Sequence, residues 1–379
     1  MNPVAYLNAG VNYCEALLRI AKPVTMPFSL DVGLTKACNL RCVFCISYES
    51  LKGVRWMPFE MYERIARKLF RTAHNINFCT GGEPLLYPRF RDALRLTKEY
   101  RCRTIVVSNG MLLDKSAAEW IAEDQSLHEL KISFDGSTKQ TLEKIRRGAK
   151  FDTIIGNIGY LGHLKRKKRA VFPKLSFRYA IMKGNVEELP GIFEICAKNH
   201  MAKVDVNYVN VPKSLDFGES LYNHPDLVAQ VFKEARGKAV EHGIQLNLPP
   251  LPGQDKGGRS CFKPWHFMQI DTDGSIRHCY RSWQQRLGFI DDDFDEIWRG
   301  EHYCKIRRTQ LSDSPYFPYC RHCANRLGFD FETSHNQQGS LGSGLIPGLE
   351  SLQVGLNERL SENVSSFKGY RKHSCDMMK

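Results

Sequence analysis

No run of 18 or more apolar residues occurs in this 379-residue sequence, so no transmembrane helix is expected. The first residues also lack a basic stretch leading into an apolar one and a small-residue cleavage site, which argues against secretion. Outside an oxidising compartment, the 13 cysteines cannot be a disulfide framework; they read as metal ligands plus reduced core thiols of a cytoplasmic protein. Acidic residues are outnumbered, 41 against 54 Lys and Arg, and the net charge of +13 invites an anionic partner. No nucleic-acid reader motif accompanies that charge, and its densest run, Lys165 to Arg169, reads equally well as the solvated end of a helix. Nucleic acid is therefore not the expected partner. Apolar content of 42% and charge of 25% are ordinary for a globular chain with room for one large domain and one small one.

The most informative stretch is Cys38-Asn-Leu-Arg-Cys42-Val-Phe-Cys45, directly after an apolar alternation at Leu30, Val32 and Leu34. Thiolates are soft ligands that suit iron–sulfur clusters, and a cubane cluster normally takes four of them. Three in one loop leave one iron open to a small molecule. A structural zinc site would recruit a fourth Cys or His, usually through C-x2-C pairs. Around the motif, strand-like runs at 29–35, 74–79, 103–108, 130–135, 174–181 and 203–209 alternate with helical patterns. The helical patterns cover 58–72, 88–101, 114–124, 138–167, 186–200 and 225–242, with a short amphipathic helix at Tyr13 to Ala21. This alternation predicts parallel βα units in an α/β fold.

The C-x3-C-x2-C spacing resembles that of the radical S-adenosylmethionine (radical SAM) superfamily. The resemblance implies a partial (β/α)6 TIM-like barrel, with a [4Fe–4S] cluster held by Cys38, Cys42 and Cys45 and S-adenosylmethionine on the open iron. One electron, from an external flavodoxin- or ferredoxin-type reductant, then yields a 5′-deoxyadenosyl radical that abstracts a substrate hydrogen. Several strand ends match the family. Thr80-Gly81-Gly82-Glu83-Pro84 looks like its GGEP motif, which holds the methionyl amine. Ser108-Asn109-Gly110, Ser133 and Arg178 match positions where cofactor contacts are found, and Asn185 follows in the next loop. Taken alone, the glycines could form a tight turn, and Asp135 could cap the turn after Ser133. Arg146-Arg147-Gly148 also resembles a recurrent family stretch, with no role assigned.

At Pro249-Pro250-Leu251-Pro252-Gly253 the composition changes to that of a linker. Beyond it stand Cys261, Cys279, Cys320 and Cys323, a four-thiolate set that spacing alone leaves open between zinc and a cluster. Met268 to Cys279 reads as a hairpin, with Asp273-Gly274 as a type I′ turn. The spacing Cys261, Gly274, Cys279, with Pro264-Trp265 and Glu296-Ile297-Trp298, resembles the SPASM and twitch auxiliary-cluster domains. A full SPASM domain would carry further cysteines after Cys323; this chain continues Ala324 to Phe329 without one, so the resemblance implies a twitch-like form with a second [4Fe–4S] cluster. In spacing it is close to the 2-deoxy-scyllo-inosamine dehydrogenases, which oxidise an aminocyclitol alcohol. Cys304 and Cys375 are spare ligand candidates, and Cys14, Cys79, Cys102 and Cys196 read as small core residues.

The expected organisation is an N-terminal extension (1–27), the barrel (28–247), the auxiliary-cluster domain (248–335) and a C-terminal extension (336–379) with one amphipathic helix at about 349–360. The expected activity is hydrogen abstraction from a small polar substrate, sugar- or aminocyclitol-like and anionic or nucleotide-linked, leading to oxidation or epimerisation. The alternatives are a maturase acting on a ribosomally made peptide and, more distantly, a non-catalytic iron–sulfur or zinc scaffold. Peptide-modifying relatives often carry a recognition domain of about ninety residues, for which residues 1–27 are too short.

Overall fold

Each barrel strand carries two sets of residues on opposite faces, as the two-residue period of a strand requires. One set is apolar and packs outward against helices: Leu30 and Val32, Ile76 and Phe78, Leu130 and Ile132, Leu175 and Phe177, Val204 and Val206 all join one core cluster. In these five strands the alternate positions are polar and point the other way. The computed structural model describes residues 2–45, 56–209, 220–221, 223–252, 261–282, 285–312, 315–317 and 320.

Six parallel strands follow the predicted runs: β1 (Ser29–Val32), β3 (Asn75–Phe78), β4 (Arg103–Ser108), β5 (Glu129–Ser133), β7 (Lys174–Ile181) and β8 (Lys203–Tyr208). The intervening helices are α2 (Phe59–Ile65, continued by a π-turn over Ala66–Phe70), α3 (Phe90–Glu99), α4 (Lys115–Asp124), α5 (Lys139–Ile145), α6 (Phe151–Lys167) and α7 (Ile192–Lys198). Caps fix their starts: Asp114 accepts from the Ala117 amide at 2.8 Å, and Thr138 accepts from Thr141 at 3.3 Å. After β8, α8 (Pro225–His242) begins on a proline and ends at Gly243, whose φ of 65° is a left-handed cap.

The sheet is longer than six strands. β9 (Gln245–Asn247) extends one edge beyond β8. On the other edge β1 pairs in parallel with β10 (Phe267–Ile270), and β11 (Ser275–Arg277) and β12 (Gly288–Phe289) follow antiparallel. The order is β12-β11-β10-β1-β3-β4-β5-β7-β8-β9, open at both ends, so the sheet does not close into a full barrel. The expected α/β partial barrel is therefore present, and the cysteine-bearing C-terminal segment continues the same sheet.

Four details differ from the sequence reading. The N-terminal helix is α1 (Pro3–Leu17), started by Asn2, rather than a short one at 13–21. The helical pattern at 138–167 breaks between α5 and α6, where β6 (Arg146–Arg147) pairs with β2 (Arg41–Cys42). The β10–β11 turn has a three-residue loop: the Gly274 amide bonds to the Asp271 carbonyl at 2.9 Å, and the Asp271 amide to the Ser275 carbonyl at 2.9 Å. A type I′ turn needs positive φ at both central residues; here Gly274 has it (78°) and Asp273 does not. Finally, Cys14 lies exposed on α1, whereas Cys102 and Cys196 are buried as expected. The remaining elements are α9 (Lys263–His266), α10 (Phe294–Trp298) and α11 (Glu301–Gln310). The helix expected at 349–360 lies outside the described residues.

A buried cation joins the C-terminal segment to the N-terminal one. Arg307 of α11 lies over Trp298 (4.2 Å) and Tyr303 (4.7 Å) and donates to the carbonyls of Pro264, Ala21 and Trp298. Burial pulls its guanidinium down to about 10. No helix among the described residues is long and apolar enough to cross a membrane.

Candidate active site

The loop after β1 carries the three-cysteine motif, and backbone contacts hold it from two sides. From one side comes the glycine motif after β3: the Gly82 amide donates to the Thr35 carbonyl at 2.9 Å and the Glu83 amide to Ala37 at 2.8 Å. Gly81 has a φ of 93°, and a Cβ on Gly82 would lie 2.0 Å from the Ala37 carbonyl oxygen. Only glycines allow this approach. From the other side, Cys42 stands in register with Arg146 in the β2–β6 pair, and the Val43 amide donates to Ile145 at 2.9 Å. Cys38, Cys42 and Cys45 are all partly exposed. Among the described residues, no three His, Cys, Asp or Glu side chains are gathered tightly around one point, as a single metal ion would ask. Thiols are soft donors of the kind that suit iron–sulfur clusters rather than hard cations.

Two thiols of the motif have polar neighbours. The Leu40 amide approaches Cys38 Sγ at 3.4 Å, and Arg146 Nη1 approaches Cys42 Sγ at 3.8 Å. Burial pushes the Cys42 thiol up to about 11, with Arg146 pulling the other way. Arg146 is itself buried and lies 2.6 Å from Asp135 Oδ2. Asp135 does not cap the turn after β5; its Oδ1 accepts from the Ala180 amide of β7 at 2.6 Å. Sequence reasoning left Arg146 without a role. Its available signal was the likeness of Arg146-Arg147-Gly148 to a recurrent family stretch; the break it makes in the helical pattern shows only in the structure.

The glycine motif's carboxylate is an internal tie. Glu83 is buried and accepts from the Leu85 amide (3.2 Å), Ser108 Oγ (2.8 Å) and the Asn109 amide (2.7 Å). Burial raises its pKa, and those three bonds oppose the rise. Pro84 opens the short turn Pro84–Leu86 that sets this geometry. Asn109 Nδ2 reaches back to Asn39 Oδ1 at 2.8 Å, so the end of β4 also grips the cysteine loop. Gly81, Gly82, Glu83, Pro84, Ser108 and Asn109 are thus brought together with Cys38. Ser133, partly exposed, ends β5 in register with Arg178 of β7. Asn185 belongs elsewhere: its amide is spent on the backbone of Asp135, Ala180 and Met182, which makes it a turn-holding residue.

Below these loops the lumen face is polar. Asp31 accepts from Asn77 Nδ2 at 2.8 Å and from the Cys79 thiol at 3.2 Å. Burial pushes the carboxyl of Asp31 up, while Cys79, Asn77, Lys263 and Arg178 oppose the rise. The positive charge of Arg178 likewise favours the charged forms of Cys79 and Asp135. Cys79 is therefore a lumen thiol rather than packing. Asp31 was legible as the polar member of Leu30-Asp31-Val32, but nothing local marked it. Deeper still, Arg103–Glu129 (2.7 Å), Lys131–Asp205 (3.0 Å) and Lys203–Asp205 (2.9 Å) form an ion-pair network. Barrel interiors are more often filled by branched apolar residues.

At the C-terminal site, Cys261 and Cys279 are partly exposed and Cys320 is buried beside Ile306 and Phe317. Cys323 lies outside the described residues, as does Cys375. Cys304 is in the interior of α11, its thiol donating to the Arg299 carbonyl at 3.2 Å. Lys36, just before the first cysteine loop, pairs with Asp271 of the C-terminal hairpin at 3.2 Å, and Arg277 pairs with the same carboxylate at 2.9 Å.

Comparison with known proteins agrees with this arrangement. Residues 32–194 match the family model of the radical SAM superfamily, and residues 261–324 match that of SPASM, an iron–sulfur cluster-binding domain. The chain is 25% identical over 331 residues to a GTP 3′,8-cyclase of Corynebacterium glutamicum, covering 76% of this chain and 83% of that one. It is 24% identical over 317 residues to the subtilosin biosynthesis protein AlbA of Bacillus subtilis, covering 79% and 67%. In fold it is similar to SuiB of Streptococcus suis bound to S-adenosylmethionine, with a TM-score of 0.62 at 18% identity over 83% of this chain and 75% of that one. Residues 32–194 are thus a radical SAM domain and residues 261–324 a SPASM iron–sulfur domain, in an enzyme whose cofactors are a [4Fe–4S] cluster with S-adenosylmethionine and auxiliary iron–sulfur.

Proposed function

We propose that this enzyme abstracts a hydrogen atom from a small polar substrate, sugar- or aminocyclitol-like and anionic or nucleotide-linked, and oxidises or epimerises it. The carrying observation is the polar lumen layer of Asp31, Asn77, Cys79 and Arg178 beneath the cysteine loop, which offers hydrogen-bonding groups and a cation at the C-terminal ends of the strands. In this reading Cys38, Cys42 and Cys45 hold the cleavage cluster. Gly81, Gly82, Glu83, Pro84, Ser108, Asn109, Ser133 and Arg178 surround S-adenosylmethionine. Cys261, Cys279, Cys320 and Cys323 hold one auxiliary [4Fe–4S] cluster that assists electron transfer. When bound, the cleavage cluster supplies the electron, received from a flavodoxin- or ferredoxin-type donor, that turns S-adenosylmethionine into the hydrogen-abstracting radical. The chain's own part is to hold the cysteine loop between two backbone clamps and to exclude water from the lumen. It also presents the acceptors of Asp31 and Asn77 to the substrate.

The relationship to a GTP cyclase, an enzyme named for a nucleotide substrate, supports this class, as does the net charge of +13. The similarity to AlbA, named for biosynthesis of a bacteriocin, supports the second reading, a peptide maturase. The test is 5′-deoxyadenosine formation by the anaerobically reconstituted enzyme with panels of aminocyclitols, sugar nucleotides and nucleoside triphosphates, beside short peptides. Stimulation by a small polar compound is expected. Stimulation by peptides alone would overturn the substrate class.

A further inference from the structure

The two-residue strand β6 exists at a cost to regular structure. A helix begun at Lys139 stops at Ile145, and the chain resumes helix only at Phe151. The gap is spent on pairing with the cysteine loop: Arg147 faces Arg41, Arg146 faces Cys42, and Gly148, at a φ of 94°, lies against Asn39. The result is a directed chain of polar groups. The Ala180 amide fixes Asp135 Oδ1 at 2.6 Å, Asp135 Oδ2 pairs with Arg146 Nη2 at 2.6 Å, and Arg146 Nη1 stands 3.8 Å from Cys42 Sγ. Asp135 is 0% exposed and Arg146 7%, so solvent screens neither. A staple between β5 and β6 would need only the ion pair. The second guanidinium arm, turned onto the sulfur opposite it in register, is what a staple leaves unexplained.

We propose that Arg146 is a positioning residue for the cleavage cluster: its permanently charged guanidinium, oriented by Asp135, sets the charge at the Cys42 sulfur and thereby the cluster's reduction potential. The proposal rests on Cys42 being a ligand. A fixed positive charge favours the reduced, more negative state, and the Asp135 carboxylate partly offsets it. Hydrogen bonds and nearby charge are known levers on such potentials. Removing the two charges must therefore move the potential in opposite directions.

The experiment is a redox titration of the reconstituted full chain, followed by electron paramagnetic resonance of the signal that S-adenosylmethionine perturbs, with iron counted in each sample. At a poise that half-reduces the parent, Arg146→Gln should lower the reduced-to-oxidised ratio about tenfold, equivalent to about 59 mV for one electron. Arg146→Lys should restore most of it, and Asp135→Asn should raise the ratio. Unchanged potential in Arg146→Gln with iron retained, or shifts of the same sign in Arg146→Gln and Asp135→Asn, would overturn the proposal. If Arg146→Gln loses its iron, the Lys and Asn variants decide: an Asp135→Asn ratio at or below the parent's overturns it. Full iron retention in Cys42→Ala would instead remove the ligand assignment beneath it.

Discussion

Glu83 accepts a 2.7 Å hydrogen bond from the backbone amide of Asn109, which fastens the glycine loop after β3 to the end of β4. The same carboxylate takes the Ser108 hydroxyl, so it orders two strand ends that the family resemblance places around S-adenosylmethionine. Its removal leaves buried donors without an acceptor, at about 1–3 kcal/mol. Glu83→Ala should therefore weaken S-adenosylmethionine binding at least tenfold, measured by equilibrium dialysis, while iron content stays at the parent level. Parent-like affinity would contradict the role.

Gly82 meets the cysteine loop at a distance no side chain allows. A methyl group there would stand 2.0 Å from the Ala37 carbonyl oxygen and 2.7 Å from its carbon, both backbone atoms that cannot swing aside. Gly82→Ala should cost about 1–3 kcal/mol by overpacking. It should also lower iron occupancy at the N-terminal site, read by iron assay beside a thermal melt. A melt and iron count equal to the parent's would show that the clamp is dispensable.

His128 predicts a pH dependence away from the active site. Burial, with Arg103 and His74 adding to it, pushes the imidazole down to about 4, and its Nδ1 accepts from the Thr104 amide at 3.1 Å. In the unfolded chain an ordinary His takes up its proton near 6.5. The unfolded state therefore binds more protons between pH 6.5 and 4, so the stabilisation is complete above 6.5 and is lost as pH falls towards 4. The loss should reach about 3 kcal/mol. Denaturant titrations at pH 7 and 5 should show a smaller drop in His128→Gln than in the parent. An equal drop would show that other groups carry it.

The barrel was legible because its strands alternate or run apolar and its helices start on caps such as Asp114 and end on breakers such as Gly243. The cysteine motif and the glycines were legible because their chemistry is local. What stayed hidden is non-local. The lumen partners Asp31, Cys79 and Arg178 come from three strands far apart in sequence, and nothing near any of them names the others. Arg146 broke a helical pattern that its neighbours support, because pairing with Cys42 outweighs one turn of helix. Asn185 could not be assigned from sequence, because a buried Asn that satisfies backbone groups looks the same there as one that meets a ligand. The hairpin turn was misread for a related reason: Asp273-Gly274 suits both a two- and a three-residue loop, and pairing of Ile270 with Ile276 selects the latter.

In the proposed arrangement two separate sets of cysteines hold two clusters, the first of which drives cleavage of S-adenosylmethionine. It is tested most directly by counting iron and sulfide in anaerobically reconstituted protein, beside the Cys38→Ala, Cys42→Ala, Cys45→Ala triple variant, with 5′-deoxyadenosine measured after reduction. About eight irons are expected in the parent, about four in the variant, and no 5′-deoxyadenosine from the variant. About four irons falling to none, with zinc or nothing held by Cys261, Cys279 and Cys320, would contradict it.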